Sequence, residues 1–273
     1  MRRILTAAVL LPLFWLLVKR APPWAFYAVA AVAVARAVWE CLVLLDHTPA
    51  RPFKLLGLAG SLAVLVSFLE VGPSFPAILP VFLVVVVALC ASLWIRQEPA
   101  AMLGSALGTL FPVVFVGVAL SYSVALRRFP GEDGQDLLML LLACVIAADT
   151  AAYYVGSNFG RRRLAPRVSP KKSWEGALGG VVASVGAALL AHFWFFQRLP
   201  LVHAVVLGLL LAVASILGDL SESVVKRAAG AKDASNLLPG HGGMLDRADS
   251  LLYAGPVLYY YYLLVLGGGA GGP

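Results

Sequence analysis

The residues of this chain whose types and spacing could do chemistry gather between Asp219 and Asp249. The stretch holds Asp219, Glu222, Ser223, Lys226, Arg227, Lys232, Asp233, His241, Asp246, Arg247 and Asp249. If a helix runs through its first part, Asp219, Glu222, Ser223 and Lys226 fall at i, i+3, i+4 and i+7 and form one polar face. Asp246 and Asp249, three apart, share a face where the next apolar run begins, and a helix N-terminus there favours their ionised forms. Carboxylates from two helix ends offer the oxygen ligands that suit Mg²⁺, an ion that completes its shell with water and substrate phosphates. Lys226, Arg227 and Lys232 are hydrogen-bond donors that suit phosphate oxygens. The turn Pro239-Gly240-His241-Gly242-Gly243 lets backbone N–H groups come close to an anion. A single histidine, His241, cannot build a zinc site without cysteines beside it. The plain alternative is a solvated loop of mixed charge. Taken together, the set points to Mg²⁺-dependent phosphate transfer, with room for a second cation.

Two other places carry polar groups that need a reason. Ser169-Pro170-Lys171-Lys172-Ser173 precedes an apolar run that opens with Trp174 and Glu175. Ser173 can cap that helix, Glu175 suits its positive end, and two lysines with hydroxyls at a helix N-terminus make a phosphate site. Asp149 lies inside an apolar run with no base of its own within two turns, so it is the candidate acid of a polar cavity. Ala152, Tyr153, Gly156 and Gly160 fall on its face and predict close packing that aims Asp149 into a helix bundle. Arg36 and Glu40, at i and i+4 in another apolar run, read as an internal ion pair.

The elements that must position these residues are apolar helices. Of 273 residues, 61% are hydrophobic and 13% charged, whereas charged residues make up about 25% of a soluble domain. The chain therefore reads as all-α, a polytopic integral membrane protein. With roughly 20 apolar residues per crossing and shorter crossings allowed in a bundle, about nine transmembrane helices are expected: 4–18, 24–45, 55–71, 75–95, 102–126, 137–156, 174–196, 201–218 and 248–266. The first reads as an uncleaved span, since no small-x-small site follows it. Cys41, Cys90 and Cys144 lie in apolar runs without paired spacing and read as buried small hydrophobes. Fifteen of the 21 Lys and Arg residues then fall on the side of the N-terminus, five on the other, and Arg36 within a span. That bias places loops 157–173 and 219–247 in the cytoplasm and assigns the net charge of +7 to topology, with no nucleic-acid partner. On the outer side, Glu132, Asp133 and Asp136 are expected to offset Arg127 and Arg128. Residues 1–136 form a lipid-facing scaffold and residues 137–273 the catalytic region.

The signature Ser223-x-x-Lys226-Arg227-x4-Lys232-Asp233, followed by Leu238-Pro-Gly-His241-Gly-Gly-x-x-Asp246-Arg247-x-Asp249, resembles that of the phosphatidate cytidylyltransferases, the CDP-diacylglycerol synthases. Gly218-Asp219-Leu-x-Glu222-Ser223, Asp149-Thr-Ala-Ala-Tyr153-x-x-Gly156 and Ser169-Pro-Lys-Lys-Ser-Trp-Glu-Gly176 are similar to its other segments. Ala151, Arg161 and Ser173 depart from the pattern without removing a charge or a hydroxyl. The resemblance implies an enzyme of the inner membrane that faces the cytoplasm and converts CTP and phosphatidate to CDP-diacylglycerol and pyrophosphate. It further implies a catalytic set of Asp219, Asp246, Lys226 and Arg227, with metal on Asp219 and Asp246 and Asp249 in support. Lys226, Arg227, Lys232 and the His241–Gly243 turn would hold CTP phosphates. Ser223 and Arg247 join the substrate-binding residues, and Ser169, Lys171 and Lys172 would contact the lipid phosphate or the nucleotide. A homodimer is left open. Two other classes fit less well: a CTP-dependent lipid kinase, which would need a base for a neutral hydroxyl, and a phosphate-coupled transporter.

Overall fold

A computed structural model describes residues 12–69, 75–235 and 242–267. Helices dominate: α1 (Pro23–Asp46), α2 (Lys54–Leu69), α3 (Ile78–Ile95), α4 (Pro99–Arg127), α5 (Asp133–Phe159), α6 (Trp174–Trp194), α7 (Leu201–Ala228), α8 (Leu245–Ala248) and α9 (Leu251–Val265). Among the described residues six helices, α1 and α3 to α7, are long and apolar enough to cross a membrane, and α2 is a shorter apolar helix. The chain is thus an all-α membrane protein. Most of the expected span 4–18 lies outside the described residues. Trp24, Trp94, Trp174 and Trp194, each at a helix end, are exposed, the placement tryptophan takes at a membrane–water boundary.

The chain divides into two compact units. One comprises Met1–Ala125 with Val225–Ala248, the other Leu126–Val224 with Asp249–Gly272. In the first unit Val64, Val84 and Val113 form a buried cluster with Phe68, Val81 and Val118 against it. Pro112 interrupts α4: it has no N–H to give the carbonyl one turn back, and a π-helical turn, Val113–Val118, follows it. Short helix α8 packs on α1.

In the second unit α5 and α6 form an antiparallel pair whose backbones nearly touch. A Cβ on Gly176 would lie 2.7 Å from the Ala152 carbonyl oxygen, and one on Gly180 would lie 2.9 Å from that of Ala148. Cross-helix polar contacts add to this packing, as is usual where lipid removes the hydrophobic drive: Ser184 Oγ donates to the Gly208 carbonyl at 2.8 Å and ties α6 to α7. Arg198, between α6 and α7, pairs with Asp133 at 3.0 Å and Asp136 at 3.1 Å. Those acids therefore pair with Arg198, a partner that the sequence reading, which set them against Arg127 and Arg128, did not name.

Three further differences from the sequence reading concern local structure. The loop 157–173 carries an antiparallel hairpin, β1 (Arg163–Ala165) and β2 (Ser169–Ser173), with Arg163 opposite Ser173 and Ala165 opposite Ser169. Asp246 and Asp249 do not share the first turn of one helix, because α8 ends at Ala248 and α9 starts at Leu251. Tyr153 is exposed and takes no part in the packed face of α5 that carries Ala152 and Gly156.

Candidate active site

Helix α7 runs unbroken to Ala228, beyond Gly218, so Asp219, Glu222, Ser223 and Lys226 do lie on one helix. In the second unit it faces the turn before α9. Gly218 makes this possible, since a Cβ there would run into the Asp249 carbonyl oxygen. Asp219, Glu222 and Asp249 then have carboxylate oxygens all within 4.8 Å of one another. Glu222 is fully buried, and Ser223 Oγ donates to Asp219 Oδ1 over a long 3.5 Å. Lys172 forms an ion pair with Asp219 Oδ2. At such separations each charged pair of carboxylates repels by about 3 kcal/mol or more at an effective dielectric near ~20. One lysine does not offset three carboxylates, and a divalent cation would. The donor set, all hard oxygen, fits Mg²⁺.

Asp149 braces this cluster from α5. Its Oδ1 accepts from Ser215 Oγ at 3.0 Å and its Oδ2 from Ser250 Oγ at 2.9 Å. The Ser250 N–H in turn donates to Asp249 Oδ1 at 2.6 Å. The acid without a local base is thus satisfied by two hydroxyls, one beside Asp249. The residue as a whole keeps exposed surface.

Hairpin β1–β2 presents the Ser169–Lys172 segment. Ser173 caps α6 by accepting from the Gly176 N–H at 3.1 Å. Glu175 accepts from the Arg161 and Arg162 N–H groups at 3.0 and 3.2 Å and fixes the hairpin to the helix start. Lys172 is drawn to Asp219, Lys171 is exposed, and Ser169 is partly buried.

The first unit holds the other set. Asp246 Oδ1 accepts from Lys226 Nζ at 2.7 Å, while Oδ2 accepts from the Gly243 N–H at 2.7 Å and the Ala234 N–H at 2.9 Å. Burial works to raise the Asp246 carboxyl, but the hydrogen bonds from Lys226, Gly243 and Ala234 outweigh it and hold the group below the usual carboxylate range. Gly242 has φ +75°, and a Cβ there would meet Asp246 Oδ2 at 2.8 Å. Arg227 Nη1 donates to the Ala231 carbonyl at 2.9 Å. Lys232 and Arg247 are exposed. His241 lies outside the described residues.

Two acids at these places were not singled out as site residues from sequence. Glu222 was legible as the i+3 neighbour of Asp219 but was not counted as a ligand. Glu40 was read as the partner of Arg36 alone, and only the folded chain shows its bonds to Ser235 and Leu245.

A polytopic helical membrane protein with clustered carboxylates and basic loops belongs to the class of enzymes that handle phosphate at a membrane surface. More particularly, the chain belongs to the cytidylyltransferase family, which matches residues 1–265. It is 37% identical over 271 residues to the phosphatidate cytidylyltransferase of Pseudomonas aeruginosa, covering 94% of each chain. Its match to the enzyme of that name from Haemophilus influenzae is 41% over 172 residues, 61% of this chain and 58% of the relative. That to Brucella suis is 44% over 174 residues, 63% of this chain and 62% of the relative.

Proposed function

We infer that this protein transfers the cytidylyl group of CTP to phosphatidate, giving CDP-diacylglycerol and pyrophosphate for phospholipid synthesis. The observation that carries the chemistry is the Asp219–Glu222–Asp249 cluster with Lys172 on its edge, in a chain whose relatives are named phosphatidate cytidylyltransferases. In the reaction an oxygen of the lipid phosphate bonds to the α-phosphorus of CTP, the bridging α–β P–O bond breaks, and the electron pair leaves with pyrophosphate. The attacking oxygen is already anionic, so no serine or cysteine nucleophile and no general base is required. What must be supplied is neutralisation of two approaching anions and in-line placement of the leaving group.

Asp219, Glu222 and Asp249 would hold Mg²⁺, which when bound screens the phosphates from one another and helps to align them. Asp249 is aimed by Ser250 and, through it, by Asp149. Asp246 is the candidate ligand of a second cation once Lys226 turns from it to a phosphate. Lys226, Arg227, Lys232, Arg247 and the His241–Gly243 turn are assigned to CTP phosphates. Ser169, Lys171 and Lys172 are assigned to the lipid phosphate, with Lys172 exchanging its bond to Asp219 for one to substrate. Most of this machinery falls within residues 137–273. Residues 1–136 serve chiefly as scaffold.

The topology we propose is nine spans with the N-terminus, loop 157–173 and loop 219–247 on the cytoplasmic side of the inner membrane, where CTP is available. It is supported by the distribution of Lys and Arg and leaves monomer and homodimer as alternative assemblies, with no role for nucleic acid. The test of the activity uses the purified chain in phosphatidate-containing micelles with α-labelled CTP. Label appearing in lipid supports cytidylyl transfer. Label left wholly in CDP would replace it with a lipid kinase, and phosphate flux without CTP in liposomes would replace it with a transporter.

A further inference from the structure

We propose that the α1–α2 and α3–α4 connections of the first unit form a phosphate-binding site of their own, separate in its residues from the candidate active site. Between them lies an open cavity of about 550 Å³, lined by Asp46, His47, Thr48, Arg51, Arg96 and Ser105. That volume suits a small ligand, and none of the residues assigned above to metal, CTP or phosphatidate lines it. The wall is built before any ligand arrives. Thr48 Oγ1 accepts from the Ala50 N–H at 3.2 Å, and Thr109 Oγ1 accepts from the Phe53 N–H at 2.8 Å, which fixes the loop after α1 to α4. Gly108 leaves room for that loop, since a Cβ on it would lie 2.7 Å from the Ala50 Cβ.

The charge in the cavity is positive. Asp46 is matched by Lys54, whose Nζ stands 2.7 Å from Oδ2. Among the described residues no carboxylate pairs with Arg51 or Arg96. Arg96 is held in place all the same: Nε donates to Ser105 Oγ at 3.0 Å, Nη2 donates to the Arg51 carbonyl at 3.0 Å, and the guanidinium lies 5.8 Å from the centroid of the Phe53 ring. Those bonds use two of its five N–H groups and leave the others for a ligand. Arg51 has φ +40° although Pro52 follows it, and a residue before proline prefers extended backbone. An arginine kept in so unfavourable a conformation at a cavity wall is the kind of outlier found at ligand clamps. Two guanidinium groups without a carboxylate fit a phosphate, whose oxygens accept from the planar fork and whose charge they balance. Trp94, two residues before Arg96 and 91% exposed, puts the cavity at the level where lipid headgroups meet water. The phosphate is therefore that of a lipid headgroup or a free one from solution.

The test measures binding of labelled phosphatidylglycerol, of phosphatidylcholine as a zwitterionic control and of inorganic phosphate to the full chain in neutral micelles. Wild type is compared with Arg51→Gln, Arg51→Lys and Arg20→Gln, and helical content checks that each is folded. Loss of a charge-assisted contact corresponds to about a tenfold effect or more. Arg51→Gln should therefore weaken the binding of at least one of the two anionic probes by about tenfold and leave phosphatidylcholine unchanged. Arg51→Lys keeps the charge without the planar fork and should weaken the same probe by about threefold; it decides the matter alone if Arg51→Gln does not fold. Arg20 is exposed and does not line the cavity, so Arg20→Gln should stay within about twofold of wild type. An effect of Arg51 on phosphatidylglycerol alone identifies a headgroup site, and an effect on inorganic phosphate alone identifies a site for the free anion; either supports the proposal. Equal weakening by Arg20→Gln would show diffuse attraction to a basic chain and would overturn it, as would unchanged binding of both anionic probes in the folded Arg51 variants.

Discussion

The Lys226–Asp246 pair allows the sharpest energetic prediction. Nζ and Oδ1 are 2.7 Å apart, and each side chain is only 11% exposed. Exposed ion pairs contribute about 0–1 kcal/mol because water screens them and both side chains lose entropy. Here water is nearly excluded, and Asp246 cannot swing away because Oδ2 is held by two backbone N–H groups. Removing one partner of a well-buried pair costs about 3–5 kcal/mol, much of it for the charge left behind. Allowing for the small exposure, Asp246→Asn should cost about 3 kcal/mol of stability, and Lys226→Met about 2 kcal/mol. The double variant leaves no stranded charge, so the coupling energy of the cycle should be about 2 kcal/mol. Equilibrium unfolding in mixed detergent micelles measures all four corners, with helical content as the signal. Additivity within about 0.5 kcal/mol would show that the pair is not coupled, and the account of Asp246 as the fixed point of this segment would fall.

Other expectations follow from single contacts. Gly176→Ala places a Cβ 2.7 Å from the Ala152 carbonyl oxygen, backbone against backbone, and should lower stability by about 1–3 kcal/mol in the same unfolding assay; a neutral outcome would mean that α5 and α6 can part without cost. Lys172→Ala should harm turnover more than Lys171→Ala, because Lys172 is bonded to Asp219 and Lys171 is exposed, and equal KM effects would remove that distinction. The Asp246 carboxyl is held below its ordinary value, so its stabilisation is fully present above the unfolded pKa and is lost as pH falls through the lower folded one. The stability gap between wild type and Asp246→Asn should therefore be constant above about pH 5 and shrink below about pH 4. A gap that changed near neutral pH would contradict the assigned charge state.

The apolar segments were legible because a span announces itself by length and composition. Each described helix from α1 to α7, and α9, falls on one of the runs read from sequence. The apolar run behind α7 ends at 218, so the continuation of the helix to Ala228 entered the sequence reading only as a condition for the i, i+3, i+4, i+7 face of Asp219, Glu222, Ser223 and Lys226. Hairpin β1–β2 was not, because Arg163–Ser173 is basic and proline-containing and reads as a loop. What holds it is Glu175 on two backbone N–H groups, a contact that leaves no periodic trace. The break between α8 and α9 was hidden for a similar reason: Asp249 bonds the Ser250 N–H, and Ser250 bonds Asp149, a residue 101 positions away. Glu40 shows the same limit. Arg36 one turn earlier is a sufficient local partner, so nothing near it in sequence asks for Ser235 or Leu245.

The claim at the centre of the account is that Asp219, Glu222 and Asp249 hold the divalent cation. The most direct measurement is Mn²⁺ binding, followed by electron paramagnetic resonance of the purified chain, with Mg²⁺ as competitor. The wild-type chain should bind Mn²⁺ displaceably, and Glu222→Gln and Asp249→Asn should each weaken that binding by at least about tenfold, one lost charged ligand being equivalent to about 1.4 kcal/mol or more, while helical content is unchanged. Unaltered Mn²⁺ affinity in both folded variants would contradict it.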